Sequence, residues 1–278
     1  MSKITLLDGA VGTTLWSLAD AAGIKREPVW KYNIEYPELV SALHETYIEA
    51  GSQIILTNTF GANRQMVKRA SSYSVTDVVK KGAELALSAS KGTGVKVFCA
   101  IGPLLEFMEP YGDLTEEEVT DIFTEQMTPV MEAGADGVMV QTFMDLSTAV
   151  VATKVAKQFG KPVFTTLTFE KRGKTMMGNS VEQVCEELEE AGADAVGMNC
   201  SLGPELALPI IEKFHKTTSL PLVFKPNAGL PMNMDGSEIP YTAEQFAKEV
   251  APALDYVSYI GGCCNCNFDY VRAIKKML

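Results

Sequence analysis

Residues 181–200, VEQVCEELEEAGADAVGMNC, hold a whole structural unit in twenty letters. Val181, Val184, Cys185 and Leu188 fall on one helical stripe through residue 191. Gly192 then supplies the left-handed residue that ends a helix, and residues 195–200 form a short apolar run that reads as a buried strand. That run closes on a thiol, Cys200. The same hinge recurs at Ala50-Gly51-Ser52 and Ala133-Gly134-Ala135.

Working outward, seven further strand-like runs appear, at 4–10, 53–59, 95–102, 136–142, 162–169, 221–229 and 256–264. Including 195–200, their starts advance by 36 residues on average, about what a strand, a helix and two loops require. Amphipathic helical patterns lie at 37–50, 116–133, 145–159, 181–191, 204–215, 243–254 and 268–278. No linker or low-complexity tract divides the chain, so residues 1–278 read as a single α/β domain, a (β/α)8 TIM barrel. A doubly wound sheet is the alternative. The segment after the first run, Asp8-Gly9-Ala10-Val11-Gly12-Thr13-Thr14, lacks both the dinucleotide and the P-loop glycine spacing.

The chain has 278 residues, 46% hydrophobic and 21% charged, with a net charge of −11. Such acidity argues against nucleic-acid and anionic-membrane partners, which demand basic surfaces. Met1-Ser2-Lys3-Ile4 does not open a signal peptide, and no apolar run is long enough to span a bilayer. The expected location is cytoplasmic, with the six cysteines reduced or metal-bound.

A barrel of this kind carries its active site at the C-terminal ends of its strands. There the sequence places Asp8, Asn58, Gly102, Gln141, Cys200, Asn227, Cys263 and Cys264. Strands six and eight are separated by one neighbour, so their tips can converge. Cys200, Cys263 and Cys264 would then offer three corners of a zinc tetrahedron and leave the fourth to a substrate. Adjacent cysteines cannot both face inward from a regular strand; Gly261-Gly262 before them lets the backbone bend. Burial as small apolar thiols is the competing reading, and spacing alone does not choose. His44 and His215 read as surface residues on helices. Trp16, Trp30, Tyr32 and Tyr47 are available for an onium cage or for the core.

Six segments together resemble the homocysteine S-methyltransferases, which include the betaine-dependent enzymes and the homocysteine module of cobalamin-dependent methionine synthase. They are Leu7-Asp8-Gly9-Ala10-Val11-Gly12-Thr13, Thr57-Asn58-Thr59-Phe60-Gly61-Ala62, Gly102-Pro103, Asn199-Cys200-Ser201-Leu202-Gly203-Pro204, Pro226-Asn227-Ala228-Gly229-Leu230-Pro231 and Gly261-Gly262-Cys263-Cys264. The resemblance implies a zinc-dependent methyltransferase, with the metal on Cys200, Cys263 and Cys264. It also implies substrate binding around Asp8, Gly9, Ala10, Asn58, Gln141 and Asn227. Asp8 would meet the amine of homocysteine, and the Gly9 and Ala10 amides its carboxylate. The methyl donor would be a small onium compound or a separate methylcorrinoid protein, since the chain ends at Leu278 without a cobalamin or folate module.

Two positions depart from the family pattern. Gln141 stands where the family carries a glutamate that helps hold the amine, a change worth on the order of 1 kcal/mol. This opens an alternative in which the acceptor is a thiol other than homocysteine. Cys266 follows Asn265 where glycine is usual, and reads as a buried thiol rather than a fourth ligand. A barrel that binds zinc or thiol without catalysis is the remaining alternative.

Overall fold

The computed structural model describes residues 4–229 and 241–278; Leu230 and Pro231 of the fifth motif lie outside them. Eight strands alternate with helices: β1 (Thr5–Leu6), β2 (Ile54–Leu56), β3 (Lys96–Ile101), β4 (Gly137–Phe143), β5 (Val163–Leu167), β6 (Ala195–Asn199), β7 (Leu222–Lys225) and β8 (Tyr259–Ile260). All ladders are parallel, from β2 in sequence order to β8 and then to β1. The expected (β/α)8 barrel is what forms.

The seam between β1 and β2 is closed mostly by side chains. One bridge, Leu7 with Ile54, joins the two strands, and Gln53 N–H donates to Leu6 O at 2.7 Å. Beyond it, Gln53 Oε1 accepts from Leu6 N–H at 3.0 Å and Asp8 Oδ2 accepts from Leu56 N–H at 2.8 Å. Two side-chain oxygens thus take donors that a regular ladder would have satisfied. Strands 1, 7 and 8 are shorter than the apolar runs that mark them, because the residues beyond them leave the ladder to build loops at the mouth.

Side chains alternate along each strand. Leu7, Ile54, Leu56, Phe98, Ala100, Met139, Phe164, Ala195 and Val223 fill the barrel interior, with Phe164 stacked between Phe98 and Tyr259 at 4.9 and 4.3 Å. Ile55, Val97, Cys99, Val138, Val140 and Val196 face the helical ring.

The helices are α1 (Val11–Ala21), α2 (Tyr32–Glu35), α3 (Pro37–Glu49), α4 (Arg64–Ala70), α5 (Val75–Ser90), α6 (Glu116–Glu132), α7 (Leu146–Lys157), α8 (Val181–Glu190), α9 (Pro204–Thr217), α10 (Ala243–Val250) and α11 (Phe268–Lys275). Four of these, α1, α2, α4 and α5, are absent from the sequence pattern above. The apolar stripe of α5 is periodic, with Val75, Val78, Val79, Gly82, Ala83 and Ala86 buried, so this helix was overlooked although the signal for it is present. The glycine in it has a packing cause: a Cβ on Gly82 would stand 2.6 Å from Asn33 Nδ2. Among the described residues no helix is long and apolar enough to cross a membrane.

His215 is exposed as expected, but His44 is not. It is fully buried on α3, with neither ring nitrogen partnered among the described residues. A helical position read as polar faces the core because α3 packs against other helices on more than one side. Burial holds its pKa down to about 4. The unfolded chain therefore binds a proton that the folded one refuses, and stability falls as pH drops below the ordinary histidine value. Between about pH 7.5 and about pH 5 the loss should be about 2 kcal/mol, read from urea midpoints, and His44→Leu should flatten that slope.

Candidate active site: a three-cysteine cluster at the barrel mouth

The backbone turns out of β6 on two consecutive non-glycine residues in the left-handed region, Cys200 (φ 60°) and Ser201 (φ 57°). Such a conformation costs about 1 kcal/mol or more per residue and persists only where the surroundings hold it. The ties are visible. Cys200 N–H donates to Lys225 O at 3.0 Å, and Ser201 Oγ donates to Phe169 O at 3.0 Å. The other left-handed non-glycines among the described residues are Thr142 in the irregular end of β4 and Asn265 just beyond the cysteine pair. All four gather around the same site.

Beyond β8, Cys263 N–H donates to Pro226 O at 2.8 Å and Ala228 N–H donates to Cys264 O at 3.1 Å. The pair thus sits in a turn rather than on the strand, which removes the alternation problem. Gly261 and Gly262 work differently from the bend expected of them, since neither has positive φ. Their role is clearance: a Cβ on Gly261 would lie 2.6 Å from Asp8 O, and one on Gly262 would lie 2.3 Å from Cys266 Cβ.

The three sulfurs of Cys200, Cys263 and Cys264 all lie within 4.8 Å of one another, with Cys200 and Cys264 at 3.6 Å. Among the described residues they form the single cluster of metal-ligating side chains. Hydrogen bonds from Cys263 and Cys264 lower the Cys200 pKa to about 3, while Cys263 rises to about 12 as donor and Cys264 rises as well. Cys266 stays outside: it is buried, its thiol faces Pro226 O at 3.7 Å, and burial pushes its pKa up.

Asn199, the last residue of β6, organises the cluster. Its Oδ1 accepts from Thr142 N–H (2.8 Å) and Thr166 Oγ1 (2.7 Å). Its Nδ2 donates to Thr142 Oγ1 (2.7 Å) and to Cys263 Sγ (3.6 Å). Fully buried, it ties β4, β5 and β6 to the turn after β8. Its place beside Cys200 in the fourth motif was the available signal.

A cavity of about 530 Å³ opens over the sulfurs. Gly9, Ala10, Asn58, Gln141, Cys200, Cys263 and Cys264 all line it. Its outer wall is apolar and aromatic, including Val11, Trp16, Val29, Trp30, Phe60 and Leu104. Tyr32 and Tyr47 are buried core residues instead, Tyr47 donating to Ala10 O at 2.9 Å.

Asp8 is brought to the site but does not face it. It is fully buried, with Oδ1 bound to Lys225 Nζ at 2.7 Å and Oδ2 to Leu56 N–H. Asp8, expected to meet a substrate amine, is engaged in an internal ion pair in this structure. Ala10 likewise has its N–H engaged, donating to Cys266 O at 2.8 Å. Gly9 allows that approach, since a Cβ there would stand 2.1 Å from the same oxygen. Asn58 Nδ2 donates to Val29 O (2.7 Å) and Asn33 Oδ1 (2.9 Å), bracing the wall. Asn227 is buried beside Cys200, and after Cys263, Cys264 and the Ser201 backbone its side chain adds to the hydrogen bonding that lowers the pKa of that thiol. Lys225 escaped the sequence reading, although a lysine closing an apolar strand at the barrel mouth was a usable signal.

Comparison with known proteins identifies relatives along nearly the whole chain. Methionine synthases of Mycobacterium leprae and Mycobacterium tuberculosis are 28% and 27% identical over 296 residues, covering 98% of this chain. The chain spans about a quarter of those relatives' length, 24% in each case. The fold is shared with the homocysteine methyltransferase MmuM from Escherichia coli. Its oxidized form superposes with TM-score 0.82 at 23% identity, and its metallated form with 0.81 at 22%. Each covers 99% of this chain and 96% of the other. The sequence matches the family described as homocysteine S-methyltransferase across residues 5–278, and the chain belongs to that family.

Proposed function

We propose that the chain is a zinc-dependent thiol S-methyltransferase whose acceptor is homocysteine, giving methionine. The observation that carries this reading is the convergence of three cysteine sulfurs within 4.8 Å at the floor of an open cavity. The donor set suits the metal: zinc–sulfur bonds of about 2.3 Å place tetrahedral ligands about 3.8 Å apart. Cys200 and Cys264 already stand 3.6 Å apart. Zinc held by Cys200, Cys263 and Cys264 would supply the charge that deprotonates the substrate thiol and the fixed position it attacks from.

The remaining work falls to the protein. Asn199 holds the Cys263 sulfur through its Nδ2 and locks the turn of β4 that presents Gln141. Apolar walls keep water from the thiolate, which strengthens it as a nucleophile and excludes hydrolysis of the donor. Methyl transfer forms the sulfur–carbon bond as the carbon–donor bond breaks, and the electron pair leaves with the donor. The donor is a small onium compound or a methylcorrinoid protein, and it reaches the sulfur past Trp16, Trp30 and Phe60. Aromatic faces are the recognition offered to an onium group there.

The family membership and the methionine synthase relatives support the reaction, and the metallated MmuM structure supports the metal. Zinc-loaded protein followed by X-ray absorption should show three sulfurs in the metal shell, rising to four with homocysteine. A shell that homocysteine leaves unchanged would refute the reading.

A further inference from the structure

Cysteines aside, among the described residues the cavity wall carries one charged side chain, and it is a cation. Lys225 closes β7, is only 2% exposed, and lines the cavity beside the cysteines. Its ammonium has three N–H donors, of which Asp8 Oδ1 takes one at 2.7 Å. Among the described residues the cavity wall carries no carboxylate, and Gln141 is neutral. The one acid beneath the wall, Asp8, is already neutralised. Among the described residues a substrate ammonium thus meets no counter-ion there, whereas a substrate carboxylate meets a buried cation with two further N–H groups that no described residue takes. Ala10 N–H is spent on Cys266 O, so that amide does not compete for the acid end.

We propose that Lys225, held by Asp8, anchors the acid end of the acceptor thiol, so that the site selects thiols by their carboxylate and is indifferent to their amine. This rests on the thiol-methyltransferase reading above. It makes Lys225 a specificity-determining residue and widens the acceptor class to carboxylate-bearing thiols, homocysteine among them.

The test compares three thiols on the zinc-loaded protein by calorimetry, with the zinc shell followed by X-ray absorption. The probes are homocysteine, sulfanylbutanoate (homocysteine without its amine) and aminopropanethiol (homocysteine without its carboxylate). Losing the amine should change affinity by less than about threefold, and losing the carboxylate should weaken binding at least about tenfold, as for a charge-assisted bond. The double variant Asp8→Asn/Lys225→Met removes both buried charges together. It should erase the preference for sulfanylbutanoate over aminopropanethiol. The native protein's ligand series stands even if that variant fails to fold. Carboxylate loss without effect, or amine loss costing tenfold, would overturn the anchor while leaving the methyltransferase reading intact. Homocysteine that never enters the zinc shell would defeat that reading, and the anchor with it.

Discussion

Cys263→Ala should leave the purified protein with little bound zinc and reduce thiol methylation at least about a hundredfold, as should Cys200→Ala and Cys264→Ala. A free thiol with a pKa near 8.5 is only about 3% ionised at neutral pH, so losing metal-assisted deprotonation alone costs about thirtyfold. Losing the fixed position of the sulfur adds to this. Removing one of three thiolates also leaves the other two short of a tetrahedral set. Cys99→Ala and Cys185→Ala are the controls. Both are buried thiols away from the cluster, their pKa values pushed up to about 12 by desolvation. They should lose some stability and keep their zinc. Metal analysis of the five variants by mass spectrometry decides the matter; a Cys263→Ala protein with full zinc would remove this residue from the metal site.

Asn199→Leu should weaken zinc binding about ten- to a hundredfold, the usual consequence of removing a group that orients a ligand. The side chain makes four hydrogen bonds, and leucine leaves Thr142 N–H and Thr166 Oγ1 without their acceptor. Buried donors stranded in this way cost about 1–3 kcal/mol each, so a stability loss of about 3 kcal/mol is expected. Asn199→Asp separates the two roles. It keeps the acceptor for Thr142 and Thr166 but replaces the donor to Cys263 with a negative charge beside thiolates. Zinc affinity should therefore fall with stability better preserved. Competition with a chromophoric chelator and thermal unfolding measure the two effects. If Asn199→Leu held zinc as tightly as the native chain, Asn199 would be a packing residue only.

The barrel was legible because its signal is repeated and local. A helix stripe, a left-handed glycine and a short apolar run ending on a polar residue recur along the chain, and each strand needs only its own residues to declare itself. The cysteine cluster was legible for a related reason: Cys200 and the Cys263-Cys264 pair follow β6 and β8, whose ends the closed barrel brings close. Helix α5 was equally legible from the helical spacing of its buried residues and was overlooked; what the structure adds is that Gly82 is small because Asn33 stands against it. His44 was misplaced because burial on α3 depends on which helices surround it.

What the linear chain determined by itself was therefore the fold class, the strand-end positions at the mouth and the thiol chemistry available there. Those properties follow from residue type and spacing, which survive without knowledge of neighbours. The tertiary structure alone decided which polar groups remain free. Asp8 and Lys225 are 217 positions apart, yet they meet at 2.7 Å, which leaves Asp8 paired internally and Lys225 at the cavity wall. Ala10 gives its amide to Cys266, and Gly261 and Gly262 are glycine for the sake of Asp8 and Cys266. A charged group serves a binding site only through the atoms that its internal partners leave facing the cavity, and partners distant in sequence are chosen by the closing of the barrel.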